Sequence, residues 1–140
     1  ASVVADGQAW WVGRSAGGTD LLVGRTLDST ATTYEVRAGG RVVPVTTYAE
    51  VPAVTPRVEV IAAGDLAIVT AVLWPSDHEP GSRRLPVVLS PYGGPHHAEV
   101  LASGLSFGED QWLADQGFCV VVADGRGTPG RGPAPSGDAA

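Results

Sequence analysis

No lysine, no methionine and only one cysteine occur in the 140 residues. All nine cationic side chains are arginine, set against fifteen carboxylates, for a formal net charge of −6. An acidic chain without a basic cluster argues against nucleic acid and anionic membranes as partners. No apolar run approaches the length of a membrane span. The opening stretch Ala1–Trp11 has neither the basic start nor the long apolar stretch of a secretory leader, so a cytoplasmic location is expected. A single cysteine, Cys119, rules out an internal disulfide framework. Without a methionine, the chain is expected to be a cut or processed product, or an internal fragment. Charged residues make up 17% and hydrophobic residues 44%, a balance that does not describe a disordered chain. The length suits about one domain.

The first third reads as β-hairpins. Gln8–Val12 and Asp20–Arg25 are short apolar stretches separated by a turn rich in Gly and Ser. Thr32–Arg37 and Arg41–Thr47 flank Ala38-Gly39-Gly40, a hairpin signal. No helical stripe appears here, and short strands at this spacing suggest a propeller blade or a sandwich edge. Val51-Pro52-Ala53-Val54-Thr55-Pro56 resists both helix and central strand, which places a linker there.

After the linker the texture changes. Arg57–Ala62 and Leu66–Trp74 predict an antiparallel strand pair, and Pro75–Arg84 a polar loop. Leu85–Ser90 is a continuous apolar run, as in a strand covered on both faces. Phe107–Gln116 predicts a short helix with Trp112 and Leu113 inward and Gly117 as its stop. Phe118–Ala123 is a second fully apolar strand, and Asp124-Gly125-Arg126-Gly127 turns the chain at its carboxyl end. Strand, loop, helix and strand in that order are an α/β signature. The tail from Thr128 to Ala140 is rich in Gly, Pro and Ala and has no periodicity.

Active sites of open α/β sheets lie at the carboxyl ends of the strands. Two Gly-rich loops occupy that position here, Tyr92–His97 and Asp124–Arg131. A phenol at Tyr92 could donate a hydrogen bond to a developing oxyanion, or it could simply pack on its loop. The adjacent His96 and His97 diverge, and no third ligand is spaced for zinc, so no metal and no cofactor are expected. His78 lies between Asp77 and Glu79 and is expected to be solvated. Cys119, inside an apolar strand, is expected to be a buried packing residue. Trp10, Trp11 and Trp74 are expected to pack, not to form a ligand cage. Glu109 and Asp110 sit at a helix start, where acids suit the helix dipole. Gly13-Arg14-Ser15-Ala16-Gly17-Gly18 satisfies the Gly-x-Ser-x-Gly pattern of a nucleophile elbow, which needs a strand before it and a helix after it. Thr19–Arg25 is a β-type run with no helical stripe, so Ser15 reads as part of a hairpin turn.

Leu85-Pro86-Val87-Val88-Leu89-Ser90-Pro91-Tyr92-Gly93-Gly94-Pro95-His96 resembles the third-strand segment of the prolyl oligopeptidase and dipeptidyl-peptidase family. Trp112–Phe118 and Val120–Gly132 resemble its next helix, strand and loop, in the same order and spacing, over about fifty residues in all. The resemblance implies the first half of an α/β-hydrolase sheet preceded by terminal β-propeller strands. Residues 1–56 would be the end of the propeller and the linker. Residues 57–140 would be the N-terminal part of the peptidase domain, cut before the nucleophile. Residues 1–50 fit the propeller by texture alone.

In that family the Tyr of the Tyr-Gly-Gly-Pro segment serves the oxyanion hole, and Tyr92 matches it. The nucleophilic Ser, whose following N–H is the second donor, and the catalytic Asp and His come later in such chains. Here the sequence ends before them, and Ser15, upstream of Tyr92, is in the wrong order. His96 matches a residue common in the family's loop, for which a structural role is expected. Asp124 matches a structural loop, with Arg126 expected to pair with it or with a neighbour. The tail departs from the pattern after Gly130-Arg131-Gly132-Pro133-Ala134, where the family continues into an aromatic-containing helix.

The implied function is hydrolysis of short peptides through an acyl-enzyme, with Tyr92 supplied by this chain and the triad by the remainder of the peptidase, as a second chain or a missing segment. Dipeptidyl-peptidase, acylaminoacyl-peptidase and oligopeptidase activities all fit it. The alternative class is a non-catalytic complementing subunit or interaction module, and a permuted hydrolase using Ser15 is a third reading. Without its fifth strand, Leu85–Ser90 becomes an exposed apolar edge, so the isolated chain is expected to be unstable or partner-bound.

Overall fold

Hairpin chemistry organises the N-terminal half. The structure, a computed structural model, describes residues 2–5, 8–92, 97–125 and 128, with residues 2–5, 8, 9 and 11 described by their backbone. Five strands form an antiparallel meander in chain order: β1 (Ser2–Ala5), β2 (Gln8–Arg14), β3 (Asp20–Thr26), β4 (Thr33–Ala38) and β5 (Arg41–Val45). The β4–β5 loop is the two residues Gly39 and Gly40, with φ of 54° and 77°. A two-residue turn whose twist matches the strands needs positive φ at both positions, and glycine supplies it without strain. The β2–β3 connection closes through the Ser15 N–H donating to the Thr19 carbonyl at 2.8 Å, and through a paired Arg14–Asp20 contact at 2.6 and 2.8 Å. Trp10 lies across from Gly24, and its ring occupies the space a side chain at 24 would need.

Residues 46–57 carry no strand or helix. A second, mixed sheet then runs in the order β6 (Val58–Ala63), β7 (Ile68–Leu73), β9 (Cys119–Ala123), β8 (Val87–Pro91). β6, β7 and β9 pair antiparallel, and β8 pairs parallel to β9. Parallel neighbours need a crossover. Here it carries a 3₁₀ turn, Gly104–Phe107, leading into α1 (Gly108–Asp115).

The core sits between that crossover and one face of the second sheet. Ala71 opposite Val122 and Leu73 opposite Val120 put four apolar side chains on the same face, as alternate residues of a strand must. Phe107 and Ala114 close over them. On the helix the inward stripe is Phe107, Gln111 and Ala114, at the spacing of one helical face. Trp112 is 62% exposed, contrary to the inward orientation expected from its hydrophobicity.

Gln111 takes the inward place because it is a hydrogen-bonding hub. Its Oε1 accepts the Arg57 N–H at 2.7 Å, and its Nε2 donates to the Trp74 carbonyl at 3.0 Å and to Asp115 Oδ1 at 2.9 Å. Asp115 Oδ1 also accepts the Ser76 N–H at 2.7 Å. A fully buried amide is tolerable only with its donors and acceptors partnered in this way.

The 3₁₀ turn of the crossover meets the loop after β3. A side-chain carbon at Gly104 would lie 2.5 Å from the Ser29 carbonyl oxygen and 2.8 Å from that of Leu27. Leu27 packs against the core cluster. The apolar run of β8 is not covered on both faces as its composition suggests: β8 is an edge, with Leu89 70% exposed. Among the described residues, no helix is long and apolar enough to cross a membrane.

Candidate functional site

The carboxyl ends of β8 and β9 lie side by side, because the two strands are parallel and in register from Val87 with Cys119 to Pro91 with Ala123. Tyr92 follows β8 directly, and its N–H extends the ladder by donating to the Ala123 carbonyl at 3.0 Å. Asp124 follows β9, and its N–H donates to the Val69 carbonyl at 3.1 Å. Both residues therefore leave the sheet with their backbones fixed.

The Asp124 side chain is only 5% exposed. A buried carboxylate must be partnered, and charge-assisted bonds to backbone N–H groups are the strong way to do it. Its Oδ1 accepts from Glu99 N–H at 2.8 Å and Val100 N–H at 3.3 Å. The sequence pattern suggests Arg126 as the partner, but Arg126 lies outside the described residues. The clamp was not legible because its donors are backbone groups 24 and 25 residues earlier in the chain.

Beside this clamp, the Tyr92 and His97 rings meet edge-to-face, with centroids 5.8 Å apart and planes at 88°. This is the favoured geometry for two quadrupoles. His97 Nε2 in turn lies 3.8 Å from Glu99 Oε1. Asp110, in the first turn of α1, has its carboxyl held above the usual range, first by burial and then by the charges of Glu109 and Glu99. Burial and like charge both disfavour the ionised form there. His96 and the Gly93–Pro95 segment lie outside the described residues.

The remaining candidates fall elsewhere. Ser15 sits in the β2–β3 turn, its hydroxyl accepting the Thr19 N–H at 3.1 Å, and a strand, not a helix, follows it. Cys119 is buried, and burial pushes its thiol up, away from a nucleophilic thiolate. His78 is not solvated as its polar neighbours suggest. It is 5% exposed and stacked on Trp74 with centroids 5.3 Å apart. Arg57 holds that loop by donating to the carbonyls of Pro75, Ser76 and His78 at 3.1, 3.1 and 2.8 Å. No group of three or more His, Cys, Asp or Glu placed to hold a metal ion occurs among the described residues. A cavity of about 280 Å³ lies on the first sheet at Trp10, Gly24 and Thr33. Another of about 340 Å³ is lined by Leu27, Arg57 and Trp74. Tyr92 lines neither.

No family model and no curated protein matches the chain. Solved structures do. An acylaminoacyl peptidase in complex with Z-Gly-Gly-Phe-chloromethyl ketone is similar over 89% of this chain, at 14% identity and a TM-score of 0.53. The Pyrococcus horikoshii acylaminoacyl peptidase is similar over 89% of this chain, at 13% identity and a TM-score of 0.52. The chain spans 25% of the length of each. At these identities the likeness is one of fold: a sheet-rich chain, with one short α-helix among its described residues, shaped like part of those two structures.

Proposed function

We propose that this chain is a segment of a serine peptidase of the prolyl oligopeptidase family, and that Tyr92 donates its hydroxyl to the oxyanion hole. The observation that carries the reading is the place of Tyr92: the first residue beyond a parallel strand, beside the carboxyl end of its neighbour. That is where open α/β sheets put their chemistry. The fold likeness to two acylaminoacyl peptidases supports the same class. In this reading β6–β9 and α1 are the first half of an α/β-hydrolase sheet, and the up-and-down meander β1–β5 closes a β-propeller.

The chemistry asked of Tyr92 is modest and specific. A serine hydroxyl attacks the scissile carbonyl of a short peptide, and the carbonyl oxygen gains charge as the carbon becomes tetrahedral. A phenol O–H aimed at that oxygen stabilises the charge in a site that excludes water. Removal of one such donor costs about 10²–10³ in kcat. The serine, its His and Asp, and the second donor come from outside these residues. The exposed β8 edge is where the continuing sheet would add its next strand.

A fluorophosphonate probe applied to the intact protein tests the reading. Covalent labelling of one serine outside residues 1–140, together with hydrolysis of short peptide anilides, supports it. Labelling of Ser15 would favour a different hydrolase. No labelling and no hydrolysis would leave a non-catalytic complementing unit as the function.

A further inference from the structure

We infer that Asp124 is a positioning residue for Tyr92, acting through Glu99 and His97. The inference rests on the oxyanion reading of Tyr92 and goes beyond it. A tyrosine at the end of a strand has its backbone fixed but retains its side-chain torsions, and rotation about χ1 swings the hydroxyl. An oxyanion donor has to lie about 2.7–3.1 Å from the developing charge. A displacement of about 1 Å can cost a factor of about 10² in rate. Something must hold the ring.

The ring neighbour seen in the structure is His97, edge-to-face at 5.8 Å. His97 is half-exposed. Its place is set two residues later, where Asp124 Oδ1 accepts the N–H groups of Glu99 and Val100. Val100 packs on the core, and the Glu99 carboxylate lies 3.8 Å from His97 Nε2. Ala123 accepts the Tyr92 N–H, and the next residue, Asp124, clamps the segment that carries the ring's neighbour. Consecutive residues at the end of β9 thus fix both the root and the flank of Tyr92. The acidic groups around the clamp are Glu99 beside His97, and Asp110 and Glu109 at the start of α1.

A double-mutant cycle in the intact protein separates positioning from general loop stability. The variants are Tyr92→Phe, Asp124→Ala, Asp124→Asn and the Tyr92→Phe/Asp124→Ala pair, read as kcat and KM on a short peptide anilide. Asp124→Ala should lower kcat by about 10–10²-fold while KM changes little. Asp124→Asn keeps an acceptor oxygen and should recover most of the loss. With the Tyr92 hydroxyl already gone, Asp124→Ala should cost within about twofold, because its effect runs through that hydroxyl. An equal cost with and without the hydroxyl would overturn the inference while leaving the Tyr92 reading intact. An unchanged kcat in Tyr92→Phe alone would overturn both. Should Asp124→Ala not fold, His97→Ala replaces it in the cycle, with the same non-additivity expected and the same additivity fatal.

Discussion

The two sheets bury their residues very unequally. In the meander β1–β5, the only described hydrophobic residue that is buried is Leu22, and every residue of β5 is exposed. In the mixed sheet, Ala71, Leu73, Val120 and Val122 are buried beneath Phe107 and Ala114. The difference is partly one of composition, since the meander strands carry Arg14, Asp20, Arg25, Glu35, Arg37 and Arg41 while the mixed-sheet strands carry only Glu59, although both sheets are rich in Val. It is also one of cover. The second sheet carries its own crossover helix, while the meander has nothing within the described residues packed across most of its surface. A sheet left uncovered in this way gains little stability from burial of its own side chains.

That contrast ranks the expected effects of mutation. Leu73→Ala, at the centre of the covered sheet, should cost the most, about 2–5 kcal/mol in denaturant unfolding. Gly104→Ala comes next. The added carbon meets backbone carbonyls of Leu27 and Ser29, which cannot rotate away, so a penalty of about 1–3 kcal/mol is expected. Its signature is faster hydrogen exchange in residues 27–31, which face the 3₁₀ turn. Gln111→Ala strands the Arg57 N–H and the Trp74 carbonyl and should cost about 1–3 kcal/mol. Val43→Ala, on the uncovered β5, should stay within about 0.5 kcal/mol. A Val43→Ala penalty as large as that of Leu73→Ala would mean that the meander is covered after all.

Acid titration sharpens the same contrast, because both shifted groups on α1 belong to the covered sheet. Burial acts against the Asp115 charge, but hydrogen bonds from Ser76 and Gln111 outweigh it and hold the carboxyl below its usual range. Its stabilising effect is present above the ordinary carboxylate pKa of about 3.9 and is lost as pH falls through the depressed value. The stability gap between the native protein and Asp115→Asn should therefore narrow in acid. Asp110 has the opposite sign. Its pKa is raised, so the folded state holds the proton more readily and stability falls as pH rises through the raised value. Asp110→Asn, which removes the charge that burial and the neighbouring Glu109 and Glu99 oppose, should stabilise slightly at neutral pH in denaturant unfolding.

Strand positions were legible in the sequence because turn chemistry and apolar runs are local signals. Gly39-Gly40 marks the β4–β5 turn, and the runs before Tyr92 and before Asp124 became β8 and β9. What could not be read was which way side chains face once packed. Trp112 points outward and Gln111 inward because the helix docks where the Arg57 N–H and the Trp74 carbonyl meet an amide. His78 is buried because Trp74 stacks on it and Arg57 pins its loop, contacts that no local pattern announces. At the candidate site, the position of Tyr92 directly after β8 was legible from the apolar run before it. The Asp124 clamp was not, since its partners are main-chain N–H groups with no residue signature.

The most direct test of the central claim is the acylation rate of the intact protein carrying Tyr92→Phe, measured before steady state on a short peptide ester. An oxyanion donor at Tyr92 predicts acylation slower by about 10²–10³ with ground-state binding unchanged. Acylation at the native rate would contradict it, and would leave Tyr92 as a residue that packs on its loop.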